Sequence, residues 1–298
     1  MKKQTLEGKT FWTRSRTFLV FLIPGVALYL FFTIVPIIMG IKYSFTDWNG
    51  FAPSYNFVGL KNYIRIFQDK IFLNSLNFTF RYTVVLVILL TSISLLIAIF
   101  LDSQIKAKSF FKSLYFFPAV LSMLTLGLIF NQIYTRAFPV LADVTGFEFL
   151  RGVLSSPTKA FWGVLYVQIW QGLAIPTIFF LAGLQSIPYE QIEAAQLEGA
   201  GGWKTFTKIK IPFLYPTLTV VLILALKSGI LAFDNIKAMT EGGPAGSTIS
   251  VAFIIYLHGF TEMRFSNSIA ESLFMGVIIC IISAFQIKIN NEKKVDLL

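Results

Sequence analysis

The chain has 298 residues, of which 55% are hydrophobic and only 13% are charged. Soluble globular chains carry about 25% charged residues, so this composition excludes an ordinary soluble protein and indicates an integral membrane protein. A net charge of +10 would suggest nucleic-acid binding in a soluble protein, but here the basic residues lie mostly in short loops, where they set membrane topology. We therefore expect no nucleic-acid partner.

Residues that carry hydrolytic or metal chemistry are scarce. The one cysteine, Cys280, and the one histidine, His258, have no second cysteine or histidine beside them, so the spacings typical of zinc sites are missing. The sequence also lacks a nucleophile elbow, a zinc-protease helix and a complete phosphate-binding loop. We predict that the chain is not an enzyme, and we assign it no catalytic residue and no metal ligand.

Six apolar segments alternate with polar loops. A membrane-spanning helix needs roughly 20 mostly apolar residues, and each segment meets this requirement. The segments are residues 17–41, 82–101, 114–134, 162–184, 213–233 and 268–287. The pattern predicts an all-α membrane protein with six transmembrane helices in one domain, residues 17–287, between a basic tail at 1–16 and a second tail at 288–298.

Lysine and arginine are distributed unevenly between the two sides of the predicted membrane. Taken together, the two tails and the loops at 102–113 and 185–212 have about twice the density of these residues found in the remaining loops together. Because cytoplasmic segments carry an excess of these residues, we expect both termini to be cytoplasmic. The loop between the fourth and fifth segments then also faces the cytoplasm.

That cytoplasmic loop, about residues 187–212, has a pattern of its own. Pro188 suits the first turn of a helix, because its missing N–H would be unpaired there. Gly199 and the glycines that follow it interrupt the helix, and a second short helix over 203–210 is expected to end at Pro212. Taken alone, the loop predicts an amphipathic hairpin at the membrane surface.

Several residue types in this loop recur at a defined spacing. They are Glu193-Ala194-Ala195, Gly199, Ile209-x-Ile211-Pro212 and Pro216. This set resembles the EAA loop of ABC-importer permeases, which is the coupling helix that docks on a cytoplasmic ATPase subunit. The resemblance implies that Glu193, Ala194, Ala195 and Gly199 couple the chain to that ATPase. Glu198 stands where the family more often has Asp, which keeps the charge.

Three further motifs follow the order seen in that family. They are FVGLKNY at 57–63, LAGLQSIP at 181–188, and FDN at 233–235 followed by TEGGP at 240–244. Together they resemble the sugar-type permease subunits of binding-protein-dependent ABC importers. The resemblance extends over about residues 20–285, nearly the whole chain.

The resemblance implies a fold, a function and a set of partners. The fold is the ABC type I importer permease architecture, and the function is carbohydrate import across the cell membrane by alternating access, with the chain as a multi-pass membrane protein surrounded by lipid. The implied partners are two ABC ATPase subunits that use ATP and Mg, a second homologous permease subunit and an extracytoplasmic solute-binding protein. No cofactor is expected on the chain itself.

Polar residues within the apolar segments are costly to bury in lipid and are candidates for a solute path. We select Gln168, Trp170, Gln171, Lys227, Asp234, Asn235 and Glu271. Lys227 and Glu271 are expected at similar depth, where they either form a structural ion pair or line the path.

Three alternatives differ from sugar import in solute or in energy source. An ABC permease for another small polar solute, such as glycerol phosphate or an amino acid, would keep the cytoplasmic loop and change the outer motifs. A secondary transporter would need no ATPase, but the intramembrane acid–base relays and larger number of spans common in that class are missing. A membrane-embedded enzyme would need a cluster of acids, histidines or metal ligands.

Overall fold

The computed structural model describes residues 18–103 and 108–295, and these residues are predominantly helical. Within them no β-strand forms, and one antiparallel bridge joins Thr46 and Phe57. The all-α prediction is thus confirmed for the described part of the chain. The basic tail at 1–16 and residues 296–298 of the second tail lie outside the described residues.

The helices differ widely in length. In chain order they are α1 (Phe18–Ser44), α2 (Lys61–Gln68), α3 (Lys70–Asp102), α4 (Lys108–Val120), α5 (Met123–Gln132), α6 (Phe138–Thr145), α7 (Pro157–Gly172), α8 (Ala174–Gln185), α9 (Tyr189–Leu197), α10 (Gly202–Ile230), α11 (Asp234–Met239), α12 (Val251–Thr261) and α13 (Phe265–Val295). Wider π turns interrupt α1 and α10, a third forms the end of α12, and another joins α5 to α6.

Among the described residues, four helices are long and apolar enough to cross a membrane: α1, α3, α10 and the Phe265–Gln286 part of α13. The pair α7 and α8 meets the same test when taken together, although the two helices are bent by 47°. The predicted third span, 114–134, is divided between α4 and α5. Pro118 lies inside the last turn of α4, where it removes one backbone hydrogen bond and so weakens the end of the helix. By length and composition, residues 18–103 and 108–295 therefore contain four or five spanning helices.

The described chain forms two compact units. The first contains the chain up to Ile66 together with His258–Phe274, and the second contains Phe67–Leu257 and the chain from Met275 onward. In the first unit, buried Asn62 donates hydrogen bonds of 2.8 Å to the carbonyls of Ser44 and Thr46. These bonds fix the loop that follows α1.

The second unit is built around α3, which packs against both α8 and α10. Buried residues follow α3 at every fourth position, through Phe78, Tyr82, Leu86 and Leu90. Helices in lipid approach closely where small residues meet, and Gly229 of α10 provides such a point: a Cβ there would lie 2.7 Å from the Thr83 hydroxyl.

The prediction that Pro212 ends a short helix is wrong, because α10 runs without a break from Gly202 to Ile230. A π turn at Phe206–Lys210 directly precedes the proline. A proline ring clashes with the carbonyl four residues earlier in a regular α-helix. The wider π turn changes the spacing of that carbonyl, so the helix passes through Pro212.

Candidate functional site

The predicted coupling loop forms a short helix, a glycine elbow and the start of α10. Pro188 is the residue before the first helical position of α9 rather than part of the first turn. At the other end, the Gly199 N–H donates to the Gln196 carbonyl (3.0 Å) and the Ala200 N–H donates to the Ala195 carbonyl (2.9 Å). This pair of bonds is the Schellman motif, which satisfies carbonyls that a helix end leaves open.

Gly199 is the residue that this elbow requires. Its φ of +76° lies in the left-handed region, which costs a residue with a Cβ roughly 1–2 kcal/mol. Gly201 differs, since its φ is −66° and no atom lies within 4 Å of the position of an added Cβ. Of these two predicted helix breakers, only Gly199 adopts a backbone conformation that requires glycine.

Large apolar side chains project from this polar loop. Tyr189, Leu197 and Trp203 are 70%, 84% and 78% exposed. Among the predicted coupling residues, Glu193, Ala194 and Gly199 are exposed and Ala195 is partly buried. Such a group of exposed apolar residues marks a surface for a protein or membrane partner.

The base of the loop is fixed to the helices of the second unit. Ile187 is buried in the cluster formed by α3, α8 and α10, and Ile192 and Ile209 pack against that cluster. The Lys210 ammonium lies 3.7 Å from the Asp102 carboxylate at the end of α3. The loop therefore combines an exposed tip with an anchored base.

Five of the seven predicted path residues line one polar cavity of about 310 Å³. They are Gln168, Gln171, Lys227, Asp234 and Asn235. They come from α7, α10 and α11, so tertiary packing brings them together. We call this space the amide cavity, because three of the five residues carry side-chain amides.

Some polar groups of the amide cavity are fixed by hydrogen bonds. The Gln168 amide donates to the Ser228 hydroxyl over 2.7 Å, and the Asn235 amide donates to the Tyr82 hydroxyl over 3.0 Å. Lys227 and Asp234 are exposed and form no ion pair within the described residues. The cavity thus presents amides, a hydroxyl, a cation and a carboxylate to a polar solute.

The other two predicted path residues lie elsewhere. Trp170 lines an apolar cavity of about 290 Å³, and its ring packs edge-on against Phe130 at 5.5 Å. The Trp170 indole therefore packs against other apolar side chains and does not line the amide cavity. The sequence also did not select Ser228, which stands next to Lys227 and lines the amide cavity.

Glu271 belongs to the first unit, where it is fully buried. A hydrogen bond of 2.7 Å joins its Oε1 to Nδ1 of His258, and the Asn267 amide donates to the same oxygen over 2.6 Å. The sequence suggested Lys227 as its partner, and it showed of His258 only that no second histidine or cysteine lies beside it. Histidine and glutamate are thirteen positions apart on two helices, so no helical periodicity revealed this pair.

Comparison with known proteins agrees with this architecture. Residues 106–290 match the family described as "Binding-protein-dependent transport system inner membrane component". The multiple sugar-binding transport system permease protein MsmF of Streptococcus mutans is 39% identical, over 92% of this chain and 95% of the relative. The probable starch degradation products transport system permease protein AmyD of Thermoanaerobacterium thermosulfurigenes is 31% identical, over 93% and 95%.

A solved structure has a similar fold. It is the crystal structure of a bacterial ABC transporter involved in the import of the acidic polysaccharide alginate, with a TM-score of 0.80 and 19% sequence identity. The match covers 95% of this chain and 99% of that chain. At this level of identity the likeness concerns the fold alone.

Proposed function

Because the chain belongs to the family of binding-protein-dependent transport system inner membrane components, we propose that it is the permease subunit of an ABC importer that carries a carbohydrate across the cell membrane. The observation that carries this proposal is the match to a multiple sugar-binding permease over nearly the full length of both chains. Family membership and several apolar helices make the chain a multi-pass protein of the inner membrane.

The chemistry of the amide cavity supports a sugar as the solute. Sugar hydroxyls need hydrogen-bond donors and acceptors, and Gln168, Gln171, Ser228 and Asn235 offer both. The Phe233 ring also lines the cavity and supplies an apolar surface for a sugar face. Lys227 and Asp234 add charged hydrogen bonds, which are stronger than neutral ones.

The coupling loop supports an ATPase partner. In our proposal Leu197 and Trp203 enter a cleft of the ATPase, since buried aromatic anchors dominate protein interfaces. Glu193 makes a polar contact beside them, Ala194 and Ala195 allow close approach, and Gly199 sets the angle of the elbow. ATP and Mg are used by the partner, and the chain itself binds no cofactor.

The remaining features of the proposal follow the ABC type I importer architecture. Residues 17–287 form one permease domain of six spans, with α4 and α5 together as the third span and the bent pair α7 and α8 as the fourth. Both termini face the cytoplasm, with tails at 1–16 and 288–298. The complex contains two ATPase subunits, a second homologous permease subunit and an extracytoplasmic solute-binding protein, and alternating access moves the solute.

Purification from the native membrane in a gentle detergent tests this proposal. We expect mass spectrometry to identify an ABC ATPase and a second permease with this chain. Solute-stimulated ATP hydrolysis by the complex then identifies the carbohydrate. Recovery of the chain alone, from an extraction that preserves other ABC complexes, would instead favour a carrier that works without ATP.

A further inference from the structure

A second cavity, with no lining residue in common with the amide cavity, lies where α3 passes the start of α7. Its volume is about 460 Å³, which is within the usual range of small-molecule sites. Its polar groups are Arg81 of α3, Thr158 of α7 and Ser247. We call it the arginine cavity.

The polar groups of the arginine cavity are available to an anion. Arg81 is the only charged residue in the lining, and its guanidinium forms no ion pair or hydrogen bond with the described residues. The Ser247 hydroxyl is buried and has no hydrogen-bond partner among the described residues. Buried hydroxyls normally have a partner, so this oxygen points to a ligand. Ser156, the N-cap of α7, leaves that helix start without a side-chain cap.

The rest of the lining is apolar. Phe78 and Phe161 form one part of the wall, and Val84 and Val85 form another. Arg81 precedes the apolar segment 82–101, and Thr158 precedes the apolar segment 162–184. The polar groups therefore lie at the edge of the hydrocarbon layer, and the two valines lie inside it. A cavity that is polar at the edge of the hydrocarbon layer and apolar inside it fits an amphiphile.

We propose that the arginine cavity binds a glycerophospholipid with an anionic headgroup. The phosphate contacts Arg81 and the hydroxyls of Thr158 and Ser247, and an acyl chain lies along Val84 and Val85. An arginine guanidinium binds a phosphate group through charge-assisted hydrogen bonds. A sugar would fit poorly, because most of the wall offers no hydrogen bond. This inference is independent of the sugar assignment.

Native mass spectrometry of the purified chain with its co-purified subunits tests the site. The complex is delipidated and titrated with phosphatidylglycerol or phosphatidylcholine. We expect preferential binding of phosphatidylglycerol, and about a fivefold loss of its affinity in Arg81→Gln. The matched control is Arg136→Gln, since Arg136 is also exposed but lines neither cavity. Unchanged binding in Arg81→Gln, or an equal loss in Arg136→Gln, would overturn the proposal.

Two further measurements distinguish a lipid from a free anion or a solute. Inorganic phosphate and glycerol phosphate should not displace the lipid, whereas Val84→Trp, at an exposed position of the lining, fills the acyl groove, leaves every charge in place and should weaken lipid binding. Complete displacement by free phosphate would reject the lipid. The KM for the transported solute should be unchanged in Arg81→Gln, and a raised KM with intact lipid binding would assign the cavity to the solute path instead.

Discussion

The coupling loop and the amide cavity belong to the same compact unit, but they are specified in different ways. The loop is a continuous stretch of chain whose shape depends on neighbouring residues: Pro188 before α9, and Gly199 at its end. The amide cavity combines Gln168 and Gln171 of α7 with residues of α10 and α11 that lie more than 50 positions later in the sequence. The loop is therefore a local structure and the cavity a tertiary one, and substitutions should affect different steps of transport.

The largest effect is expected from Gly199→Val. Valine is β-branched, and the φ of +76° strains it, so the Schellman turn should be lost and the elbow should change direction. We expect solute uptake by membrane vesicles to fall below detection while the chain still inserts at normal levels. Gly201→Ala is the control, because its backbone angle accepts alanine. Uptake near wild type in both variants would show that the elbow angle is unimportant.

Trp203→Ala should separate the chain from its ATPase without affecting the amide cavity. Truncation of a buried aromatic anchor costs about 2 kcal/mol or more, equivalent to roughly thirtyfold in affinity. The measurement is the amount of ATPase recovered with the chain at a series of detergent dilutions. Phe149→Ala is the control, because Phe149 is 68% exposed but lies outside the loop. Equal recovery of ATPase from both variants would remove Trp203 from the interface.

Gln168→Leu should act on the solute and leave assembly intact. It removes the amide that bonds Ser228 over 2.7 Å and one polar group of the cavity. A lost hydrogen bond is worth about 0.5–1.5 kcal/mol, so we expect the KM for uptake to rise about three- to tenfold. Gln132→Leu, at an exposed position outside the cavity, serves as the control. If ATPase recovery fell while KM stayed constant, Gln168 would be a structural residue.

The smallest effect is expected from Lys210→Met, which removes the ion pair with Asp102 at the base of the loop. The pair is partly exposed, with each side chain about one quarter accessible, and such pairs contribute at most about 1 kcal/mol. We expect less than about a fivefold fall in solute-stimulated ATP hydrolysis. Lys208→Met, at an exposed position of the same π turn, should have less effect. A larger loss would mean that the pair controls coupling.

The comparison also explains what the sequence could predict. Pro188 and Gly199 act on their own neighbours, so the helix, elbow and second helix follow from the order of residues. The hydrophobic pattern located α3, α10 and the last span, because a continuous apolar stretch is also a property of neighbouring residues. The prediction for Pro212 was wrong because a π turn relieves the clash between the proline ring and the preceding helical turn. No residue type in the sequence marks such a turn.

The candidate path could be predicted only in part. Polarity in or beside the apolar segments identified Gln168, Lys227 and Asn235, because polar groups are costly at membrane depth and are therefore candidates for function. The same rule could not decide which of them face one another. Glu271 binds His258, and Trp170 belongs to an apolar cavity. Such assignments depend on how each helix is rotated about its own axis, and the sequence around these two positions does not specify that rotation.

The continuity of α10 has a mechanical consequence. The helix starts at the glycine elbow and reaches Lys227 and Ser228 of the amide cavity, a length of roughly 40 Å without a break. Two points of close contact lie along it, where Gly183 of α8 meets Thr217 and where Gly229 meets Thr83. A continuous helix packed closely against its neighbours moves as one stiff rod. In the coupling mechanism proposed above, a displacement of its loop end therefore reaches the amide cavity through the helix itself, and no relay of side chains is needed between them.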